Sequence, residues 1–322
     1  MHIPSSLSVF NISGFSFDVS SSSLLKSTSS LVTNNAKATL FWGPLSANAN
    51  LDEEIKASEV CYKTAHGFCL RLCDTRRTVK PEVAKAAINS KLRDASAQRR
   101  VSKDERMFIQ ESVVSELSEA AMPSTQFTSV FVFPKSGILA IGTKKESEYS
   151  AIIKHLKNTF PEVKISPAWS EEAGESSILI DVMTGWVQDG LPHPLGFGHR
   201  IQVALGSEKS TFDNFDLMSM DPSFLKGRQV QNLALDFNKL FTFRLASDQV
   251  LTHLKGTFEL KQMYLEHAGS SIDDISAAGY LAEQLNELLE SIDKRVQHAK
   301  LVAEQKAKSE QPAAWVNPAL RP

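Results

Sequence analysis

The stretch that most constrains the fold is Asn232–Gly256, "NLALDFNKLFTFRLASDQVLTHLKG". Leu233, Leu235 and Phe237, then Phe241, Phe243 and Leu245, alternate with smaller or polar residues. A period of two sends apolar side chains to one face of a strand. Asn238-Lys239 and Ser247-Asp248 break the alternation with turn chemistry. The stretch therefore reads as two or three antiparallel strands. A sheet of this kind is covered on its apolar face only.

The rest of the chain fits an α+β class. "LSVFNISGFSFDV" alternates loosely and reads as a strand. "SSSSLLKSTSSLVTNN" reads as a polar connection or a short helix. "EVCYKTAHGFCLRLCD" predicts a hairpin about Ala65-His66-Gly67. "FTSVFVFPKSGILAIG" predicts a second, turning at Pro134-Lys135-Ser136-Gly137. "ESEYSAIIKHLKNTF" predicts an amphipathic helix stopping before Pro161. "SSILIDVM" reads as a strand and "TGWVQDGLPHPLGFGHR" as a loop-rich stretch. Leu281, Leu285, Leu288, Ile292 and Val296 mark a long helix, and residues 295–322 read as a mobile polar tail. The expected division is 1–75 with 125–168, then 76–124, 169–294 and 295–322.

The chain has 322 residues, enough for two or three compact units. No apolar run reaches the length of a membrane span, and "MHIPSSLSVFNISGF" has no secretory pattern. Three cysteines, an odd number, suit a reducing compartment, so a cytoplasmic location is expected. Cys61, Cys69 and Cys73 around His66 lack metal-ligand spacing and read as structural thiols. His193 and His199 flank Gly196-Phe197-Gly198, which is too short for a dinucleotide fingerprint and carries no nucleophile. Glu171-Glu172 and Asp273-Asp274 read as surface or helix-start acids. No phosphate-binding loop, nucleophile elbow or zinc-protease motif is present. The expectation is a protein without catalytic residues, metal or cofactor.

The charge is nevertheless uneven. The formal net charge is -2, yet Arg76 to Arg106 holds ten Lys/Arg against four Asp/Glu, a local +6. Two helices are expected there. Pro81 suits a first helical position, and Val83, Ala84, Ala87, Ile88 and Leu92 recur at helical spacing. Ser102 with Glu105 is a capping box ahead of the stripe Ile109, Val113 and Leu117, and Pro123 ends the second helix. The cations lie mostly off both stripes. Such a surface suits phosphates, which it would neutralise without reading sequence. Phe108 alone is interleaved, so base stacking is not indicated. The candidate contacts are Arg76, Arg77, Lys80, Lys91, Arg93, Arg99, Arg100 and Lys103.

Seven segments in order resemble one family. They are "SLSVFNISGFSF", "AKATLFWGPL", "KPEVAKAAINSKL", "GILAIGTKKESEYSAIIKHLKNTFPEV", "MTGWVQDG", "LALDFNKLFTFRLASDQVLTHLKG" and "GYLAEQLNELLESI". Over roughly residues 5 to 294 the chain resembles RdgC, the recombination-associated protein family. The resemblance implies an α+β, horseshoe-shaped subunit that closes with a second copy into a ring. Duplex DNA would thread the ring without sequence preference, and the bound protein would restrain a RecA-type recombinase and shield DNA. Residues 76–124 would form a basic helical tip, 169–294 a base domain, and the location would be the nucleoid. The resemblance implies Lys226 and Arg228 as further DNA contacts and Phe127 as the subunit-locking aromatic.

This sequence departs from the family pattern ahead of "LALDF". From Ser170 to Leu225 nine acids face only Arg200 and Lys209, near -7. That acidity supports an alternative, a protein-interaction scaffold that kept the fold while DNA binding weakened, recruiting a partner through its last helix and Trp315. A metal-dependent nuclease is a third, weaker reading.

Overall fold

The computed structural model describes residues 3–15, 38–45, 60–77, 79–169, 178–219, 221–268 and 274–310. The expected connection in residues 20–35, the acids Glu171, Glu172 and Asp273, and Trp315 lie outside them. Two compact units emerge. The larger takes residues 1–17, 62–69 and 130–322, the smaller residues 18–61 and 70–129. Residues 130–168 thus share a unit with everything after them, because β1 (Ser6–Ser13) pairs both with β6 (Ile138–Ile141) and with β12 (Val250–Gly256).

In the larger unit an antiparallel sheet runs from the end of β5 (Pro123–Phe133) through β6, β1, β12, β11 (Phe241–Ala246), β10 (Gln229–Phe237) and β8 (Leu195–Leu205) to β9 (Glu208–Asp213). The short β7 (Lys164–Pro167) pairs with β1, and β3 (Cys61–Lys63) with the start of β4 (Phe68–Arg77). The stretch Asn232–Gly256 contributes to three strands. Asn238 and Lys239 take φ of 51° and 60°, the left-handed pair that a tight hairpin demands. Leu233, Leu235, Phe237, Phe241, Phe243 and Leu245 are buried as their alternation requires. The other predicted hairpins are present, Gly137 closing one at φ 69°.

Helices cover the apolar face. The predicted α3 (Glu146–Thr159) ends where expected, with Ile152 and Leu156 buried. α4 (Ile178–Asp189) packs on β10, and α6 (Asp274–Glu310) packs on α4 and on α5 (Phe258–Ala268). α4 corrects two expectations: Ile178–Met183 forms a helix rather than a strand, and the loop-rich stretch is helix to Asp189 and strand from Leu195, with residues 190–194 between them. Ile178, Leu179, Ile180, Val182, Met183 and Trp186 are buried, while Asp181, Gln188 and Asp189 are exposed. With Asp181 as the one polar residue between Ile178 and Met183, the run is too apolar for its helical period to show in the sequence. The expected tail also begins as helix. Val296 continues the buried stripe of Leu281, Leu285, Leu288, Leu289 and Ile292, and α6 runs to Glu310; residues 311–322 lie outside the described part.

The smaller unit has β2 (Ala38–Gly43), β4 and β5 in that order. Between β4 and β5 rise α1 (Pro81–Gln98) and α2 (Lys103–Ala120), which pack on one another. Cys69 and Cys73 are buried, and no disulfide joins Cys61, Cys69 and Cys73. Burial pushes the Cys73 thiol up to about 12, against a smaller opposing effect of Arg71.

Candidate nucleic-acid interface

The helical hairpin forms for local reasons. Lys80 is the N-cap of α1, held extended (φ -61°, ψ 132°) as a residue before proline must be. Its carbonyl accepts from the Val83 and Ala84 amides at 3.0 Å. At α2 the capping box is complete: Ser102 Oγ accepts from the Glu105 amide at 3.2 Å, and the Glu105 carboxylate accepts from the Ser102 amide at 3.4 Å. The expected stripes are only half-buried. Ala84, Ala87, Ile88, Leu92, Ile109 and Leu117 are intermediate, Val83 is 50% exposed, and Val113 alone is buried among the described side chains of the two helices. The hairpin is a projection with little core of its own, and its outer surface faces solvent.

The predicted cations divide by what holds them. Lys80, Arg93, Arg100 and Lys103 are exposed and have no ion-pair partner among the described residues. Three others are paired. Arg76 meets Asp74 at 2.5 Å, Lys91 meets Glu116 at 2.7 Å, and Arg99 meets Glu105. The hydrogen bonds from Lys91 and Ser112 hold the Glu116 carboxyl below its ordinary range. Exposed pairs contribute little, about 0–1 kcal/mol, so a phosphate can displace the carboxylate. Arg77 is different. Its guanidinium donates to the carbonyls of Glu119 at 2.6 Å and Ala121 at 3.3 Å. It is a clasp on the last turn of α2, where a cation also complements the helix dipole.

The remaining predicted residues are placed as follows. Phe127, on β5, is 44% exposed and lies under the Arg71 guanidinium, 5.3 Å from the ring centroid. In the larger unit Lys226 is exposed just before Gly227, whose φ is 74°. Arg228 donates to the Phe224 carbonyl at 3.2 Å and stacks over the Phe224 ring at 4.9 Å, so its side chain is partly committed to the turn. The acids of this region are partly engaged as well. Asp221 accepts from the Ser223 amide at 2.8 Å, which holds its carboxyl low, and Asp213 pairs with Arg200 at 2.7 Å.

One cationic group was not legible in the sequence. In the larger unit's sheet, Arg244 of β11, Arg200 of β8, Lys144 beyond β6 and Lys255 of β12 all lie within electrostatic reach of His253 of β12, and Arg200 also of Arg244. These residues span more than a hundred positions, and strand order alone gathers them.

A family model described as "Putative exonuclease, RdgC" matches residues 54–299, most of the chain. The chain belongs to the RdgC family. The match takes in the helical hairpin, every strand of the sheet after β2, and most of α6. Among the described residues no group of three or more His, Cys, Asp or Glu is placed to hold a metal ion, and no helix is long and apolar enough to cross a membrane.

Proposed function

We propose that this protein binds duplex DNA without sequence preference, closes with a second copy into a ring around it, and modulates a RecA-type recombinase while shielding the DNA. The observation that carries the reading is the projecting hairpin, with Lys80, Arg93, Arg100 and Lys103 exposed and lacking ion-pair partners among the described residues. Family membership supports it. In this reading Lys91, Arg99 and Arg76 exchange their carboxylates for phosphates, and Lys226 and Arg228 add contacts from the larger unit. Phe127 is the aromatic that locks one subunit to the next. The protein then resides on the nucleoid and has no catalytic residues.

The test is duplex binding over a salt series, with linear against closed circular DNA. Each phosphate contact contributes about 0.9 to the slope of log affinity against log salt. Replacing Lys80, Arg93, Arg100 and Lys103 by Ala should therefore lower the slope by about 3–4 and weaken all sequences alike. Preferential loading on linear DNA supports threading through a closed ring. No binding at low salt refutes the reading and favours the scaffold. The family description favours one further reading, a nuclease. It predicts loss of the DNA on adding Mg²⁺ or Mn²⁺ in the same assay.

A further inference from the structure

The Arg244–His253 group is built by irregularities in the sheet. Between β11 and β12 the register pairs Thr242 with Lys255 and Arg244 with Thr252. Two steps on β11 oppose three on β12, so β12 carries an extra residue there. His253 takes φ 53°, in the left-handed region that favours glycine. In a regular strand Thr252 and His253 would point to opposite faces. Here His253 is exposed, its ring nitrogens lie 3.3 Å from Thr252 Oγ1 and 3.4 Å from Arg244 Nη1, and Leu254 is buried. The bulge thus brings Thr252, His253 and Lys255 to the face that carries Arg244. A second irregularity, in β8 between the pairs Leu233–Ile201 and Leu235–Phe197, takes in Arg200. It is close-packed: a Cβ on Gly198 would lie 2.9 Å from that of Ala234.

The left-handed residue His253 thus sits among like charges. Arg244 of β11, Arg200 of β8, Lys144 beyond β6 and Lys255 on its own strand all oppose a proton on His253, after the effect of burial. Arg244 is itself disfavoured as a cation by burial and by Arg200. The acid that reaches the group is Asp213, already paired with Arg200. Crowding of this kind is relieved by an anion, and backbone strain with perturbed titration clusters at binding sites.

We infer that Arg244, His253 and Lys255, with Arg200 and Lys144 at the margin, form a binding site for a phosphate oxyanion, and that His253 takes up a proton when the oxyanion binds. That the phosphate belongs to duplex DNA rests on the function proposed above; the oxyanion site itself does not. A bound oxyanion offsets the repulsion from the four neighbouring cations, so the imidazolium becomes stable nearer neutral pH. Affinity then rises as the pH falls through the His253 titration in the complex.

The test is the titration of the His253 ring by NMR in the full chain, assigned by His253→Gln, in chloride, with inorganic phosphate, and with a short blunt duplex. The duplex should raise the His253 midpoint by about one pH unit. Arg244→Gln and Lys255→Gln should each remove most of that shift; Lys255 is exposed, so its variant guards against misfolding. A shift with inorganic phosphate but not with duplex supports the oxyanion site and overturns its assignment to DNA. A midpoint unmoved by either probe overturns the inference. If duplex binding, followed separately by anisotropy, persists in that case, the helical hairpin reading stands without it.

Discussion

Arg77 was a candidate phosphate contact by sequence, and its geometry predicts a different phenotype from its neighbours. The Arg77→Ala change removes two charge-assisted hydrogen bonds, to the Glu119 carbonyl at 2.6 Å and the Ala121 carbonyl at 3.3 Å. Bonds to a charged group contribute about 1.5–3 kcal/mol when sheltered. Arg77 is half-buried and the second bond is long, so about 1.5 kcal/mol for the two together is reasonable after screening. Loss of a cation at a helix C-terminus adds about 0.5 kcal/mol. A total of about 2 kcal/mol should speed local opening of the last turn of α2 roughly thirtyfold and lower Tm by a few degrees. The assay is amide hydrogen exchange across α2 with thermal denaturation, alongside Arg100→Ala. Arg100→Ala should leave both unchanged and lower the DNA salt slope by about one unit. The reasoning is refuted if Arg77→Ala leaves exchange and Tm at wild-type values while reducing the slope as Arg100→Ala does. Arg77 would then be a phosphate contact that merely rests on the helix end.

Two further predictions concern the smaller unit. Gly43→Ala would put a Cβ 2.1 Å from the Sγ of Cys73, so that buried side chain or the strands must shift, and denaturation should show a loss of about 1–3 kcal/mol; an unchanged midpoint would mean that the Cys73 thiol does not pack against Gly43. Cys73, raised from 9.0 to about 12, keeps its thiol neutral in the fold. Its contribution to stability is therefore fully present below pH 9 and is lost as pH rises from 9 toward about 12. Native labelling by a thiolate-selective reagent at pH 8 should be about a thousandfold slower than in the unfolded chain, and equal rates would contradict the burial.

The helical hairpin was legible because its signals are local. Pro81, the Ser102–Glu105 capping box and Pro123 act within a turn or two of chain, and the structure realises them at Lys80, Ser102 and Ala121. The alternation through Phe237 and Phe241 was legible for the same reason, since a period of two needs no knowledge of the partner strand. α4 was not. Asp181 is the one exposed polar residue between Ile178 and Met183, too little to set a period, so the run reads equally as strand or helix until β10 and α6 are in place.

The sequence by itself determined the basic hairpin, the three-stranded stretch with its turns and the family. Each of these is carried by neighbouring residues or by an order of segments along the chain. Only the tertiary structure decided which cations are exposed and which are engaged. Arg77 and Arg100 are alike in sequence, but the carbonyls that hold Arg77 come from more than forty residues away. The same holds for Lys144, Arg200, Arg244, His253 and Lys255. Their grouping depends on sheet order and on two irregularities in register, which follow from how strands distant in sequence pair.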